Sequence, residues 1–288
     1  MDIAGSDAFS GQHQIVNLLK EILTNLKDGE ESTFLSTPDC ETLLQDEDAT
    51  ATPAAATLKR ASWQDYQDIP PYPDYPLYTT LAHILSAWMK NGSCPILNLP
   101  ALDLLEEGNH AAKRKDLCTS VTPLVINLKE SIEETQAAQE KLTDIIRALG
   151  KRGLMDLLGM RQTIGSVQCF PPSRRQLEQS FNQQNKASSK LTVGARALAK
   201  HCHRDQTSSW WGQCTGSEQA KNEHATNIMK RILDHAAWIN IHMLPHDVTI
   251  LEVRSPEGYG ARWSSDGKIF RGFLEPQMAD GHEIGWKH

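Results

Sequence analysis

The chain has 288 residues, a hydrophobic fraction of 39%, a mean hydropathy of -0.46 and a formal net charge of -7. This length suffices for one or two domains with a buried core, and no apolar run approaches the roughly 20 residues that span a bilayer. The start of the sequence lacks the basic and apolar segments of a secretory signal. We therefore expect a soluble cytoplasmic or nuclear protein whose six scattered cysteines stay reduced.

The negative charge belongs to one segment. Residues 28–58 hold eight acidic side chains and no Lys or Arg, so a net charge of -7 leaves about +1 for the other 257 residues. Residues 190–288 contain twelve basic and eleven acidic side chains. Without an excess of positive charge, the composition argues against nucleic acid as a partner.

The N-terminal residues 1–27 are predicted to form an amphipathic helix. Apolar side chains recur at helical spacing within residues 14–27, at Ile15, Leu18, Leu19, Ile22, Leu23 and Leu26. This face either docks on the protein's own core or binds a protein partner or a second copy of the chain. A membrane-surface helix is disfavoured because the polar face offers only Lys20 and Lys27 as positive charges.

Residues 28–75 are predicted to be disordered. This segment is acidic, low in complexity and without periodicity. Its end overlaps the Pro/Tyr-rich residues 68–78, which either lead into the next helix or bind an aromatic groove of a partner.

Residues 76–160 are predicted to be helical, with a helix end at Asn91-Gly92. Seven residues follow an alternating spacing of four and three that is typical of coiled coils: Leu128, Ile132, Thr135, Gln139, Leu142, Ile146 and Leu149. Because Thr and Gln interrupt this seam, an internally packed helical hairpin is favoured over a coiled-coil homodimer, which stays open. Residues 161–190 are interpreted as a hinge.

Residues 191–288 are predicted to form a compact domain of two helices and an antiparallel meander of about four strands, which makes the fold class α+β. Ser217 is a plausible cap for the second helix, and Asp266-Gly267 indicates a hairpin between the last two strands. Eight of the eleven histidines and five of the seven tryptophans follow residue 200. The apolar C-terminal tail, with Trp286, is expected to fold back onto the domain.

The strands place several charged residues on one sheet face. Alternation puts Glu252 and Arg254 on the same side of their strand, and Arg262 and Arg271 lie in the next two strands. Such a face must be paired, solvated or occupied by an anion, because unpaired burial of charge is costly. It is either a surface ladder of Glu–Arg pairs or a site for a small phosphate- or carboxylate-bearing ligand.

Two histidines and three tryptophans complete the predicted site. His242 and His246 are the candidates for a general acid or base, because imidazole titrates near neutral pH. The tryptophans, predicted to line the site, are Trp210, Trp211 and Trp263.

No metal or cofactor is predicted. The spacing His201-x-His203-x-Asp205 resembles the H-x-H-x-D-H motif of metallo-β-lactamase-like hydrolases over five residues, but Gln206 replaces the final His and the segment ends a helix rather than a strand. Cys202 and Cys214 do not match the ligand spacing of a zinc finger or ribbon.

The preferred functional hypothesis is an intracellular interaction or adaptor protein that binds a protein partner through its helical half. The alternative is a hydrolase or transferase that acts on an anionic or phosphorylated substrate in the C-terminal domain. The sequence does not decide whether the protein is an enzyme.

Overall fold

The computed structural model describes residues 4–29, 34–46, 71–102, 105, 107–204 and 209–277, with residues 4–11 and 203–204 described by their backbone alone. The chain divides into two compact units, one of residues 1–99 with 108–160 and the other of residues 100–107 with 161–288. The predicted folding-back of the tail around Trp286 lies outside the described residues. Helices predominate in the first half and a four-stranded antiparallel sheet follows, so the α+β class is confirmed.

In the described part of the first unit, all the regular secondary structure is helical. It contains α1 (Ala4–Asp28), α2 (Thr37–Leu44), α3 (Leu77–Asn91), a short 3₁₀ helix (Pro95–Asn98), α4 (His110–Glu130) and α5 (Thr135–Leu157). As predicted, α3 ends at Asn91, where Gly92 adopts a positive φ of 70° and donates its N–H to the carbonyl of Trp88. None of the described helices is long and apolar enough to span a membrane.

The apolar face of α1 packs inside its own unit, against α2, α3 and α5. Ile15, Leu18, Leu19, Ile22 and Leu23 are each at most 3% exposed. The alternative prediction, in which this face binds a partner, is therefore wrong, because the helix buries it against its neighbours.

Apolar residues of the predicted coiled-coil seam are also buried within the first unit. The four-residue connection at 131–134 folds α4 and α5 into a hairpin, and Gly150, with φ 57° and ψ -175°, kinks α5. Leu128, Leu142 and Ile146 are buried, whereas Thr135 is exposed. The helical hairpin is confirmed, and the seam leaves no continuous apolar stripe for a homodimer.

Part of the segment predicted to be disordered is helical. Ser36 caps α2 by accepting from the Asp39 backbone N–H, and the Asp39 carboxylate accepts from the Ser36 N–H in return. Cys40 and Leu43 bury the apolar side of this short helix. The remaining residues of that prediction, 30–33 and 47–70, lie outside the described part of the chain.

The second unit contains a helix and a small hairpin that begin before residue 191, the predicted start of the C-terminal domain. Its elements are α6 (Arg174–Phe181), a small hairpin of β1 (Gln184–Lys186) and β2 (Ser189–Thr192), α7 (Val193–Arg204), α8 (Glu218–Asp234), β3 (Trp238–Leu244), β4 (Val248–Arg254), β5 (Gly260–Ser264) and β6 (Phe270–Leu274). The main sheet has the order β3-β4-β5-β6. Ser217 caps α8 by accepting from the N–H of Ala220 at 3.2 Å, as predicted.

The residues interpreted as a hinge are packed into this unit. The backbone N–H groups of Arg161 and Val167 donate to the carbonyls of Ile239 and Ile241, and Ser166 forms an antiparallel bridge with His242. Residues 161–167 therefore cover the outer edge of β3, a position where an unpaired strand would otherwise expose its hydrogen-bonding groups. Residues 161–167 are therefore bonded to the edge of the sheet and do not form a free linker.

Candidate active site

The two faces of the main sheet have different chemistry because side chains alternate along each strand. One face is apolar and meets the helices: Trp263, Phe270 and Phe273 are buried there, and the rings of Phe181 and Phe270 lie 4.8 Å apart. On the other face, the register aligns one residue from each strand. These four residues, which we call the polar row, are Asn240, Glu252, Arg262 and Gly272.

Glu252 is the centre of the polar row. Its side chain is 3% exposed, and its two carboxylate oxygens accept from Arg254 Nε at 2.5 Å and from Arg262 Nε at 2.8 Å. Burial acts to raise the pKa of Glu252, but the hydrogen bond from His242 and the charges of Arg254 and Arg262 outweigh it and hold that pKa well below its ordinary value. The carboxylate is therefore ionised at neutral pH and can only accept hydrogen bonds.

Arg254 is a structural partner that is almost completely buried, since its side chain is 3% exposed. Besides the bond to Glu252, its Nη1 donates to the carbonyls of Gly258 and Glu275, at 2.6 and 2.9 Å. Its side chain lies over Gly260, where an added Cβ would come within 2.7 Å of Arg254 Cγ and 2.4 Å of the Val253 carbonyl oxygen. Gly260 is thus required for the close packing of Arg254 on the backbone of β5.

Asn240 ties the polar row to the covered edge of the sheet. It is 2% exposed; its Oδ1 accepts from the Ser166 hydroxyl at 2.8 Å, and its amide nitrogen donates to the Thr163 hydroxyl at 3.1 Å. The backbone N–H of Thr163 in turn donates to Ser166 Oγ. With both ends of its amide bonded, Asn240 is fixed beside Glu252 by the turn at 163–166.

His242 sits two residues along β3 from Asn240 and is partly accessible, with a side chain 20% exposed. Its Nε2 lies 3.4 Å from Glu252 Oε2. Because the ionised carboxylate is an acceptor only, this contact places a proton on Nε2 and leaves the Nδ1 lone pair free to accept a proton in the neutral ring. Among the described residues, no hydrogen bond engages Nδ1.

Arg262 is the partly exposed cation of the polar row. Its Nε is bonded to Glu252, its side chain is 23% exposed, and the hydrogen bonds of the described residues do not use its two terminal nitrogens. A guanidinium anchored through Nε presents its other N–H groups in a fixed fork that suits a phosphate. His242 and Arg262 are thus both held by one buried carboxylate, with their remaining polar atoms available.

The other predicted site residues lie elsewhere. Trp263 is fully buried on the apolar face and donates to the Leu177 carbonyl, so the prediction that it lines the site is wrong. His246 is exposed in the β3–β4 turn at a φ of 68° and makes no hydrogen bond within the described residues. Arg271 is exposed and lies next to Gly272, at the end of the polar row.

The adjacent tryptophans differ in their surroundings. Trp210 is half-buried between the ring of Tyr259, stacked at 4.3 Å, and the guanidinium of Arg231 at 4.4 Å. Trp211 is fully buried, and its Nε1 donates to both carboxylate oxygens of Glu275 at 2.9 Å. Both tryptophans therefore contact other side chains of the same unit.

The first histidine of the His201-x-His203-x-Asp205 spacing has a protein partner. His201 Nδ1 lies 2.8 Å from Glu275 Oε1, and its ring packs 5.2 Å from that of Trp211. Asp205 and Gln206, as well as the side chain of His203, lie outside the described part. In the residues that the structure does describe, no group of three or more His, Cys, Asp or Glu side chains is arranged to hold a metal ion.

Sequence reading missed Asn240, Thr163 and Ser166. A signal for Asn240 was present, because it alternates with apolar residues in the strand that also carries His242. The short turn between β3 and β4 then brings that alternation opposite Glu252. No local pattern marks Thr163 and Ser166, whose role depends on pairing with a strand more than 70 residues away.

Residues 181–275 match the family model described as the CdiA C-terminal tRNase toxin domain. A solved structure, the toxic C-terminal tip of CdiA from Pseudomonas aeruginosa in complex with an immune protein, is 31% identical; the match covers 33% of this chain and 98% of that one, with a TM-score of 0.29. No curated protein matches the chain.

The family match overturns the preferred functional hypothesis. A third of the chain, including the whole polar row, is similar to a tRNase toxin domain, so the prediction of an adaptor or protein-binding module is wrong. The alternative, an enzyme acting on a phosphorylated substrate in this domain, is the one that agrees with the match. The prediction that nucleic acid is not a partner rested on the net charge of residues 190–288 and is not confirmed. A protein partner stays a prediction.

Proposed function

We propose that the second unit cleaves RNA and that its substrate is tRNA. The observation that carries this proposal is the match of residues 181–275 to a tRNase toxin domain, because the matched segment contains β3–β6 and therefore the complete polar row. The geometry supports the same chemistry. It combines an accessible imidazole, an accessible guanidinium and a buried carboxylate that holds both.

His242 is the proposed general base. With its Nε2–H directed at Glu252, Nδ1 can accept the proton of a ribose 2′-hydroxyl as the 2′-oxygen bonds to the adjacent phosphorus. The bond from phosphorus to the 5′-oxygen of the next nucleotide breaks, and that oxygen takes up a proton from solvent. The products are a 2′,3′-cyclic phosphate and a free 5′-hydroxyl. This route requires the 2′-hydroxyl, which distinguishes RNA from DNA.

Arg262 is the proposed phosphate ligand. During attack, negative charge grows on the non-bridging phosphate oxygens, and a prepositioned cation stabilises that charge without having to reorganise. Arg262 is prepositioned by its Nε bond to Glu252, while its terminal nitrogens remain available. Glu252 and Arg254 are positioning residues in this scheme, because both are buried. Glu252 holds Arg262 and His242 in place, and Arg254 in turn holds Glu252.

The test is cleavage of purified tRNA by the full-length chain, compared with single-stranded DNA of matched length. The proposal predicts RNA fragments that end in a 2′,3′-cyclic phosphate and no cleavage of the DNA. His242→Gln should lower the cleavage rate by at least about 100-fold, the usual contribution of a general base. Arg262→Ala should lower kcat more than it raises KM.

His246→Asn is the matched control. It removes a histidine from the exposed turn between β3 and β4, and Asn tolerates the positive φ at that position. Its cleavage rate should equal that of the unmodified chain. A chain that leaves tRNA intact, or a His242→Gln variant as active as His246→Asn, would refute the proposal.

A further inference from the structure

A β-bulge interrupts the sheet where the polar row ends. Arg262 is paired with Gly272 but the next residue, Trp263, is paired with Phe270, so Arg271 is an additional residue in β6. Gly272 adopts a φ of 141°, and a Cβ built there would meet no atom within 4 Å. Bulges of this kind change the direction of a side chain and are common next to active sites. Here the bulge inserts an arginine beside an open position of the row.

Arg271 differs from the charged residues in and around the polar row. Glu252, Arg254 and Arg262 are joined by ion pairs, whereas Arg271 is exposed and makes no ion pair or hydrogen bond among the described residues. Its neighbours Phe270 and Phe273 are buried, so the bulge anchors the backbone on both sides of an outward-facing cation. A solvated, unpaired arginine contributes little to folding, and stability does not account for its placement.

We propose that Arg271 binds an RNA backbone phosphate next to the one that is cleaved, which makes it a substrate-binding residue outside the reacting group. This inference rests on the proposed function. Arg271 adjoins Gly272, the residue paired with Arg262, and paired positions on neighbouring strands have Cβ atoms about 5 Å apart. Two arginines one strand apart can therefore contact successive phosphates of one RNA strand. The empty position at Gly272 leaves room for the backbone between them.

Binding of tRNA at several salt concentrations tests this role, because each phosphate contact adds to the salt dependence of affinity. The measurement uses fluorescence anisotropy of labelled tRNA with the full-length chain carrying His242→Gln, so that cleavage does not interfere. Adding Arg271→Ala should weaken binding about three- to tenfold and flatten the slope of log Kd against log salt by roughly 0.7 to 1. Arg271→Lys should restore the slope, since the charge returns.

Arg196→Ala is the matched control, because Arg196 is an exposed arginine of α7 that makes no ion pair among the described residues. It should leave the slope unchanged. Cleavage of a dinucleotide, which has a single phosphodiester, should be equally fast with Arg271 and with Arg271→Ala. Two results would overturn the inference: a salt slope that Arg271→Ala leaves unchanged, or a loss of cleavage rate on the dinucleotide as large as the loss on tRNA.

The two proposals fail in different ways. If the chain does not cleave tRNA but Arg271→Ala still flattens the binding slope, the proposed nuclease function is refuted and the phosphate contact stands. If tRNA is cleaved and the slope does not depend on Arg271, only the phosphate contact is refuted.

Discussion

Replacing Glu252 by Gln should destabilise the second unit strongly. The carboxylate is 3% exposed and lies within 2.8 Å of two guanidiniums, one of which, on Arg254, is equally buried. The substitution removes the negative charge and turns one acceptor oxygen into a donor that faces Arg254 or Arg262. Breaking a buried ion pair on one side costs about 3–5 kcal/mol. Because Gln keeps one acceptor, we expect about 3 kcal/mol, the lower end of that range.

The pH dependence of this loss gives a second readout. The pKa of Glu252 is lower in the folded protein than its ordinary value of 4.5, so the carboxylate stabilises the fold fully above that value. As the pH falls below about 4.5, unfolding becomes coupled to proton uptake, and the contribution disappears as the pH passes through the folded-state pKa. The difference in stability between the unmodified chain and Glu252→Gln should be constant above about pH 5.5 and shrink below 4.5.

Urea unfolding of the full-length chain, followed by tryptophan fluorescence at several pH values, measures this difference. Trp211, Trp238 and Trp263 report on the second unit. Glu257→Gln is the control, since Glu257 is 49% exposed and its pair with Arg231 is 3.4 Å long; it should cost less than about 1 kcal/mol. A cost below 1 kcal/mol for Glu252→Gln at pH 7, or a difference that does not shrink in acid, would refute this description of the polar row.

Two further substitutions test how the polar row is held. Ser166→Ala should cost about 1–2 kcal/mol in urea unfolding, because it leaves the buried Asn240 Oδ1 without its donor, and it should reduce tRNA cleavage through the loosened turn. Equal stability with and without the hydroxyl would contradict that role. Gly260→Ala should lower the free energy of unfolding by about 1–3 kcal/mol and slow tRNA cleavage, since its Cβ would overlap the Val253 carbonyl and Arg254 Cγ. An unchanged melting temperature would contradict this requirement for glycine.

Features that depend on neighbouring residues could be predicted from the sequence. Alternation within β4 placed Glu252 and Arg254 on one face, and Asp266-Gly267 marked the last hairpin, where Gly267 has a φ of 73°. The cap at Ser217 and the end of α3 at Gly92 follow from local hydrogen bonding and from the left-handed conformation that glycine accepts. Periodicity and capping act over a few residues, so one sequence suffices to recognise them.

The arrangement of the site was decided by tertiary structure. Whether Arg262 meets Glu252 depends on the register between β4 and β5, and a bulge, which the sequence did not indicate, separates Arg271 from the alternation of its strand. Residues 161–167, the start of the segment predicted to be a hinge, are bonded to the edge of β3. These contacts join residues up to about 80 positions apart, and their energies depend on packing and burial that no local pattern encodes. The sequence determined which residues could act, and the fold determined that His242 and Arg262 share one buried carboxylate.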